Sequence, residues 1–154
     1  MLPFFQWLES FGFGAGSEYT VAFINVAHLL ALTVFIGAVL VVDLRLLGRG
    51  MRQQPVADVA SNAQPWLIGG FLTMLLTGSL QVLATPMKAY YSTNFWLKIE
   101  LLIVALIFTF TIRRMITRAD ERRVGPIWGK LVGITSIGLW SYIAVQGRLI
   151  GLLQ

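Results

Sequence analysis

The sequence predicts an all-α fold, a transmembrane four-helix bundle entered through a short interfacial amino-terminal segment. Two observations predict it. Hydrophobic residues make up 56% of the chain and charged residues only 12%, well below the charged share of an ordinary soluble domain, and mean hydropathy is +0.74. The apolar residues also gather into four stretches, each near the ~20 residues that a helix needs to cross a hydrocarbon core. The length of 154 residues suits one domain, here residues 19–154 after a separate segment 1–18.

The first span runs from Tyr19 to Leu47, interrupted only by Asn25, His28, Asp43 and Arg45. It exceeds the minimum length, so it tilts or protrudes at its Arg45 end. Gln53, Gln54 and Pro55 break the pattern. The second span starts at Pro65, a residue suited to the first helical position, and runs to Ala84, where Thr85-Pro86 ends it. Met87 to Asn94 reads as a loop whose Tyr90 and Tyr91 suit the headgroup region. The third span begins at Phe95 and Trp96 and continues to Ile116, and the fourth runs from near Pro126 to Leu149. Between them Arg113 to Arg123 (RRMITRADERR) is too polar for hydrocarbon and reads as a turn with frayed helix ends.

Segment 1–18 carries Phe4, Phe5, Trp7 and Phe11, then Gly12, Gly14 and Gly16. It has neither the basic start nor the long apolar centre of a signal peptide. A short helix lying in the membrane interface fits it better.

The net charge of +5 does not indicate nucleic acid, because no basic face is interleaved with stackable aromatics. The basic residues collect in two connectors, around Arg45, Arg49 and Arg52 and from Arg113 to Lys130, while the other connector has Lys88 alone. The positive-inside rule then puts both basic connectors in the cytoplasm and both termini outside. With no cysteine in the chain, disulfides, iron–sulfur clusters and thiolate metal sites are excluded. Gly129 with Gly133, Gly147 with Gly151, and the face of Gly70, Thr73 and Thr77 let helix backbones approach closely, within the chain or between two copies.

Polar groups in lipid are costly and mark function or a paired structural role. His28 is the sole histidine, ~14 Å along the axis from Tyr19, with Asn25 one turn earlier. A neutral imidazole at that depth is an available ligand for haem iron or a partner for a proton; it also serves as a plain hydrogen-bonding core residue. Lys98 enters the third span from the same side, either snorkelling to headgroups or pointing inward at the depth of His28. Glu100 lies about 200° around the helix from it. Asp43 and Arg45 read as an anchor at the inner boundary, with Arg45 on phosphates. Arg148 sits at the outer end of the fourth span, on the side where it would pair with a propionate of a haem near His28.

The stretch from His28 through Gly37 to Asp43-Leu44-Arg45-Leu46-Leu47 resembles the first helix of the HemJ and CopD-like group of small bacterial membrane proteins. Phe95-Trp96-Leu97-Lys98-Ile99 is similar to the entry of the lysine-bearing helix of HemJ proteins, and Thr73, Thr77 and Gly78 are compatible with the same pattern. The resemblance implies a haem b protein of the bacterial inner membrane, with His28 as metal ligand and Lys98 beside it, acting in electron transfer or porphyrin oxidation. The Asp43-x-Arg45 pair and the aromatic amino-terminal segment depart from that family. Copper, the CopD-like branch, would want clustered methionines or histidines, and Met1, Met51, Met74, Met87 and Met115 are scattered. Two other functions fit the same residues: an accessory subunit packing on other membrane subunits or on a second copy, and metal-ion transport. No span has the mid-membrane Gly/Pro break typical of transport sites.

Overall fold

A computed structural model describes residues 1–12, 18–119 and 121–152, and every regular element in them is helical. The helices are α1 (Leu2–Ser10), α2 (Glu18–Leu46), α3 (Val56–Ala84), α4 (Pro86–Tyr91), α5 (Thr93–Arg118) and α6 (Glu121–Leu152). Gly14 and Gly16 lie outside the described residues, as do the surroundings of Gly151. Tyr19–Leu46, Val56–Ala84 and Thr93–Arg118 are long and apolar enough to cross a membrane. α6 is longer still at 32 residues, but Thr135, Ser136, Ser141, Gln146 and Arg148 dilute its apolar run. Length and apolarity therefore mark three of the four expected spans.

Each boundary has a local cause. Gly48 ends α2: at φ 71° it adopts the left-handed conformation open to glycine. It donates to Arg45 O at 3.0 Å while Arg49 donates to Leu44 O at 2.9 Å, the paired bonds of a Schellman cap. α3 starts at Val56, not at Pro65, which lies inside the helix. The apolar stripe explains this extension, because Val56, Val59 and Ala63 are buried in register with Leu67, Gly70, Met74 and Thr77. Continuity of that face outweighs the one ladder bond that proline cannot donate. The expected loop after Ala84 contains the short helix α4, and Ser92 then caps α5, its hydroxyl accepting from Phe95 N at 3.3 Å.

The segment RRMITRADERR is helical as far as Arg118, and only beyond it does the chain turn. Thr109–Arg113 forms a π-helical turn within α5. α6 is broken at Gly125, where φ is 69° and ψ 156°.

α2 lies along α3 and also packs against α6, which in turn packs on α5. Two close crossings set these contacts. At Gly70 an added Cβ would stand 3.0 Å from Phe35 N, and at Gly133 it would stand 3.1 Å from Asp43 O. Gly129 likewise faces Leu46, so the Gly129–Gly133 pair serves packing within the chain. The core between the helices holds Phe35, Val39, Val42, Met74, Ala105 and Trp140, with the Phe35 and Trp140 rings 4.5 Å apart, edge to face. The outer faces are apolar too: Phe23, Leu30, Leu76, Ile107 and Ile134 are all exposed. A water-facing surface rarely carries so much apolar area. α1 packs on α4, where Phe5 is buried against Tyr90 and Trp96.

Candidate functional site

His28 lies on the inward stripe of α2, below half-buried Val21 and Ile24 and above buried Ala31 and Phe35. Its Nδ1 is 2.8 Å from the Thr77 hydroxyl of α3. That hydroxyl has one proton, and the Thr73 carbonyl stands 2.7 Å away, with the Met74 carbonyl at 3.3 Å. Back-bonding to the preceding turn is the ordinary habit of a helical threonine. Thr77 then accepts from His28 Nδ1–H, an assignment made from the network. The ring also approaches the Met74 backbone, whose carbonyl can only accept. Nε2 is left with its lone pair, and no described residue bonds to it. Gly78 closes the other side, where a Cβ would come within 3.4 Å of His28 Cε1.

Lys98 points into the helix packing. Its amine is 3.0 Å from where a Cβ on Gly147 of α6 would stand, and it lies within electrostatic reach of His28. Ser92, by capping α5, sets the register that aims it there. Among the described residues Lys98 has no ion-pair partner. A half-buried ammonium without a counter-charge is unfavourable in an apolar span. Asn25, one turn before His28, and Arg148 are exposed and make no hydrogen bond among the described residues. Glu100 is exposed as well.

Nothing in the sequence pattern singled out Thr77 as the partner of His28; it had the look of one more small residue on a packing face. Only the helix register pairs them. No three His, Asp or Glu side chains converge among the described residues. That excludes a carboxylate–histidine cluster there but not haem, whose iron takes one or two axial ligands from the protein.

The second polar site is at the other end of the core. Asp43 is fully buried and accepts from Arg113 Nε at 2.9 Å, while Arg113 Nη2 donates to Val39 O at 3.1 Å. The π-turn brings Arg113 there, and its first residue, Thr109, accepts from Trp140 Nε1 at 3.2 Å. Buried Ser136 faces the same carboxylate, although neither its hydroxyl nor Asp43 Oδ2 has a partner within hydrogen-bond distance. The expected Asp43-x-Arg45 anchor is thus divided. Asp43 turns inward to Arg113, and Arg45 Nε donates to Gln54 O at 2.7 Å. Two residues apart, the Asp43 and Arg45 side chains lie about 200° from each other around α2 and do not share a face.

Two open grooves lie in this half of the structure, one of about 360 Å³ between α2 and α3 and one of about 470 Å³ between α5 and α6. Neither includes His28 or Lys98 in its lining.

Taken together, these features define an all-helical protein with membrane-length apolar helices and two polar sites set into its core. The chain belongs to a family of unknown function, DUF6644, whose profile matches residues 4–153. Neither the curated proteins nor the solved structures contain a match to it.

Proposed function

We propose that this chain is a multi-pass protein of the bacterial inner membrane that binds haem b through His28 Nε2. In this reading α6 is a fourth crossing helix, α1 lies in the outer interface, both termini are outside, and the Arg49 and Arg118 turns face the cytoplasm. The task is electron transfer or porphyrin oxidation, as the resemblance to the HemJ and CopD-like group implies.

One observation carries the reading: the Thr77 hydroxyl stands 2.8 Å from His28 Nδ1, and Nε2 has no hydrogen-bond partner among the described residues. A hydrogen bond to the far ring nitrogen fixes the tautomer and orientation of a metal-binding histidine and raises its basicity. Lys98, which has no ion-pair partner among the described residues, supplies a positive charge for an acidic group on the ligand. Gly78 and Gly147, lacking side chains, let the imidazole lie close against α3 and the Lys98 amine close against α6. Haem, when bound, supplies one-electron chemistry; the protein's part is to ligate, orient and neutralise it.

The test is a visible spectrum of the purified protein from haem-replete cells. The expected result is a Soret band with reducible α and β bands, most of it lost in His28→Ala while the variant still inserts. A folded, colourless wild-type protein overturns the haem reading and favours an accessory subunit of a larger membrane complex.

A further inference from the structure

The groove between α2 and α3 is built like an amphipathic slot. Gly37 and Ala38 of α2 and Ala63 of α3 form its shallow floor, and Trp66 walls the end nearer mid-helix. Asn62 lines the groove one turn from Trp66, and at the opposite end, where α2 meets the connector, the lining is Met51 and Gln54. That end opens beside the connector that carries Arg45, Arg49 and Arg52. Arg45 is tied to the carbonyl of Gln54, a lining residue, and Arg52, next in sequence to the lining residue Met51, is tied to Gly48 O at the end of α2. Arg49 is exposed, with no partner among the described residues. The acidic residue of this stretch, Asp58, does not line the groove. Met51, which does, has φ 45°, a backbone conformation that non-glycine residues rarely hold and that collects at functional sites.

A largely apolar slot parallel to two membrane-length helices, with Gln54 and then the arginine-bearing connector at one end, matches a molecule with an acyl chain and an anionic head. At about 360 Å³ the groove is within the size range of small-molecule sites. Juxtamembrane arginines attract anionic headgroups. We infer that the α2–α3 groove is a specific site for one anionic phospholipid, with an acyl chain against Gly37, Ala63 and Trp66 and the phosphate on Arg49 and Arg52. The inference rests on the membrane part of the proposed function and is independent of haem.

The experiment is native mass spectrometry of detergent-purified protein with phosphatidylglycerol or phosphatidylcholine of identical acyl chains. Wild type is expected to retain one phosphatidylglycerol, with a preference of about five-fold or more over phosphatidylcholine, since one basic contact near an anionic headgroup is worth ~1 kcal/mol. Arg49→Gln with Arg52→Gln should abolish the preference. Gly37→Leu should lose retention of either lipid; a Cβ there meets nothing within 4 Å, so this variant fills the slot without forcing the backbone. Equal retention of both lipids by wild type overturns the inference, as does undiminished retention by Gly37→Leu. A dimer that Gly37→Leu dissociates, with lipid retention unchanged, also overturns it and assigns the groove to a second copy of the chain. Haem content reports separately on His28, and extraction of the protein by alkaline wash without detergent would strike the membrane reading itself.

Discussion

Arg113 donates from Nε to Asp43 Oδ1 at 2.9 Å, joining α5 to α2 across 70 positions of sequence. Asp43 is 0% exposed and the Arg113 side chain 6%, so neither charge is shared with solvent. The guanidinium is also tied to the Val39 carbonyl, which makes the contact directional. Removing one partner of such a pair leaves an uncompensated buried charge.

That asymmetry sets the first prediction. Arg113→Met alone should destabilise the protein by about 3–5 kcal/mol, whereas replacing both members by apolar residues of similar volume should be near neutral. Unfolding in detergent of Arg113→Met and of the double variant Asp43→Leu/Arg113→Met measures both. Equal instability of the single and double variants would show that the pair itself, not the orphaned charge, holds the helices.

Adjacent glycines in α3 provide the second prediction. An added Cβ at Gly70 meets the Phe35 backbone at 3.0–3.1 Å, while at Gly69 it meets nothing within 4 Å. Gly70→Ala should cost about 1–3 kcal/mol through overpacking. Gly69→Ala should be neutral or stabilising by up to ~1 kcal/mol, since alanine is the better helix former. Thermal unfolding of the two variants side by side tests the α2–α3 crossing, and it fails if both substitutions behave alike.

The third prediction concerns orientation. The chain has no cysteine, so Arg49→Cys and Tyr91→Cys each introduce a single label site, and both positions are exposed. In intact cells an impermeant maleimide should label position 91 and reach position 49 only after permeabilisation. Labelling of position 49 from outside inverts the proposed topology.

Much of the helix pattern was legible because composition alone carries it. The stretch ending at Leu47 needs no tertiary information to be helical. Pro65 misled because proline at a first helical turn is a local rule, whereas the register of Val56, Val59 and Ala63 with Leu67 is a tertiary one. Arg113 misled for a similar reason. Within RRMITRADERR all the arginines look alike, and only the π-turn and the presence of Asp43 on a neighbouring helix separate the buried one from the rest. The scarcity of His28 made it visible as a candidate. Its partner could not be read, because Thr77 is one of several hydroxyls on α3 and the pairing depends on how α2 and α3 are offset.

The last prediction tests that pairing. Thr77→Val preserves shape and removes the group that accepts from His28 Nδ1–H, leaving the imidazole free to rotate or change tautomer. Loss of an orienting partner of a metal-binding histidine typically lowers affinity by about 10- to 100-fold. Titration of apoprotein with haem should therefore show at least a ten-fold weaker midpoint for Thr77→Val, with the His28-ligated spectrum kept at saturation. Thr77→Ser, which retains the hydroxyl, should restore most of the affinity. Lys98→Met should weaken binding without changing the axial-ligand bands, because its role in this reading is counter-charge and not ligation. Wild-type affinity in Thr77→Val would leave the 2.8 Å contact as a helix-packing bond, and a changed axial-ligand spectrum in Lys98→Met would make the amine a ligand.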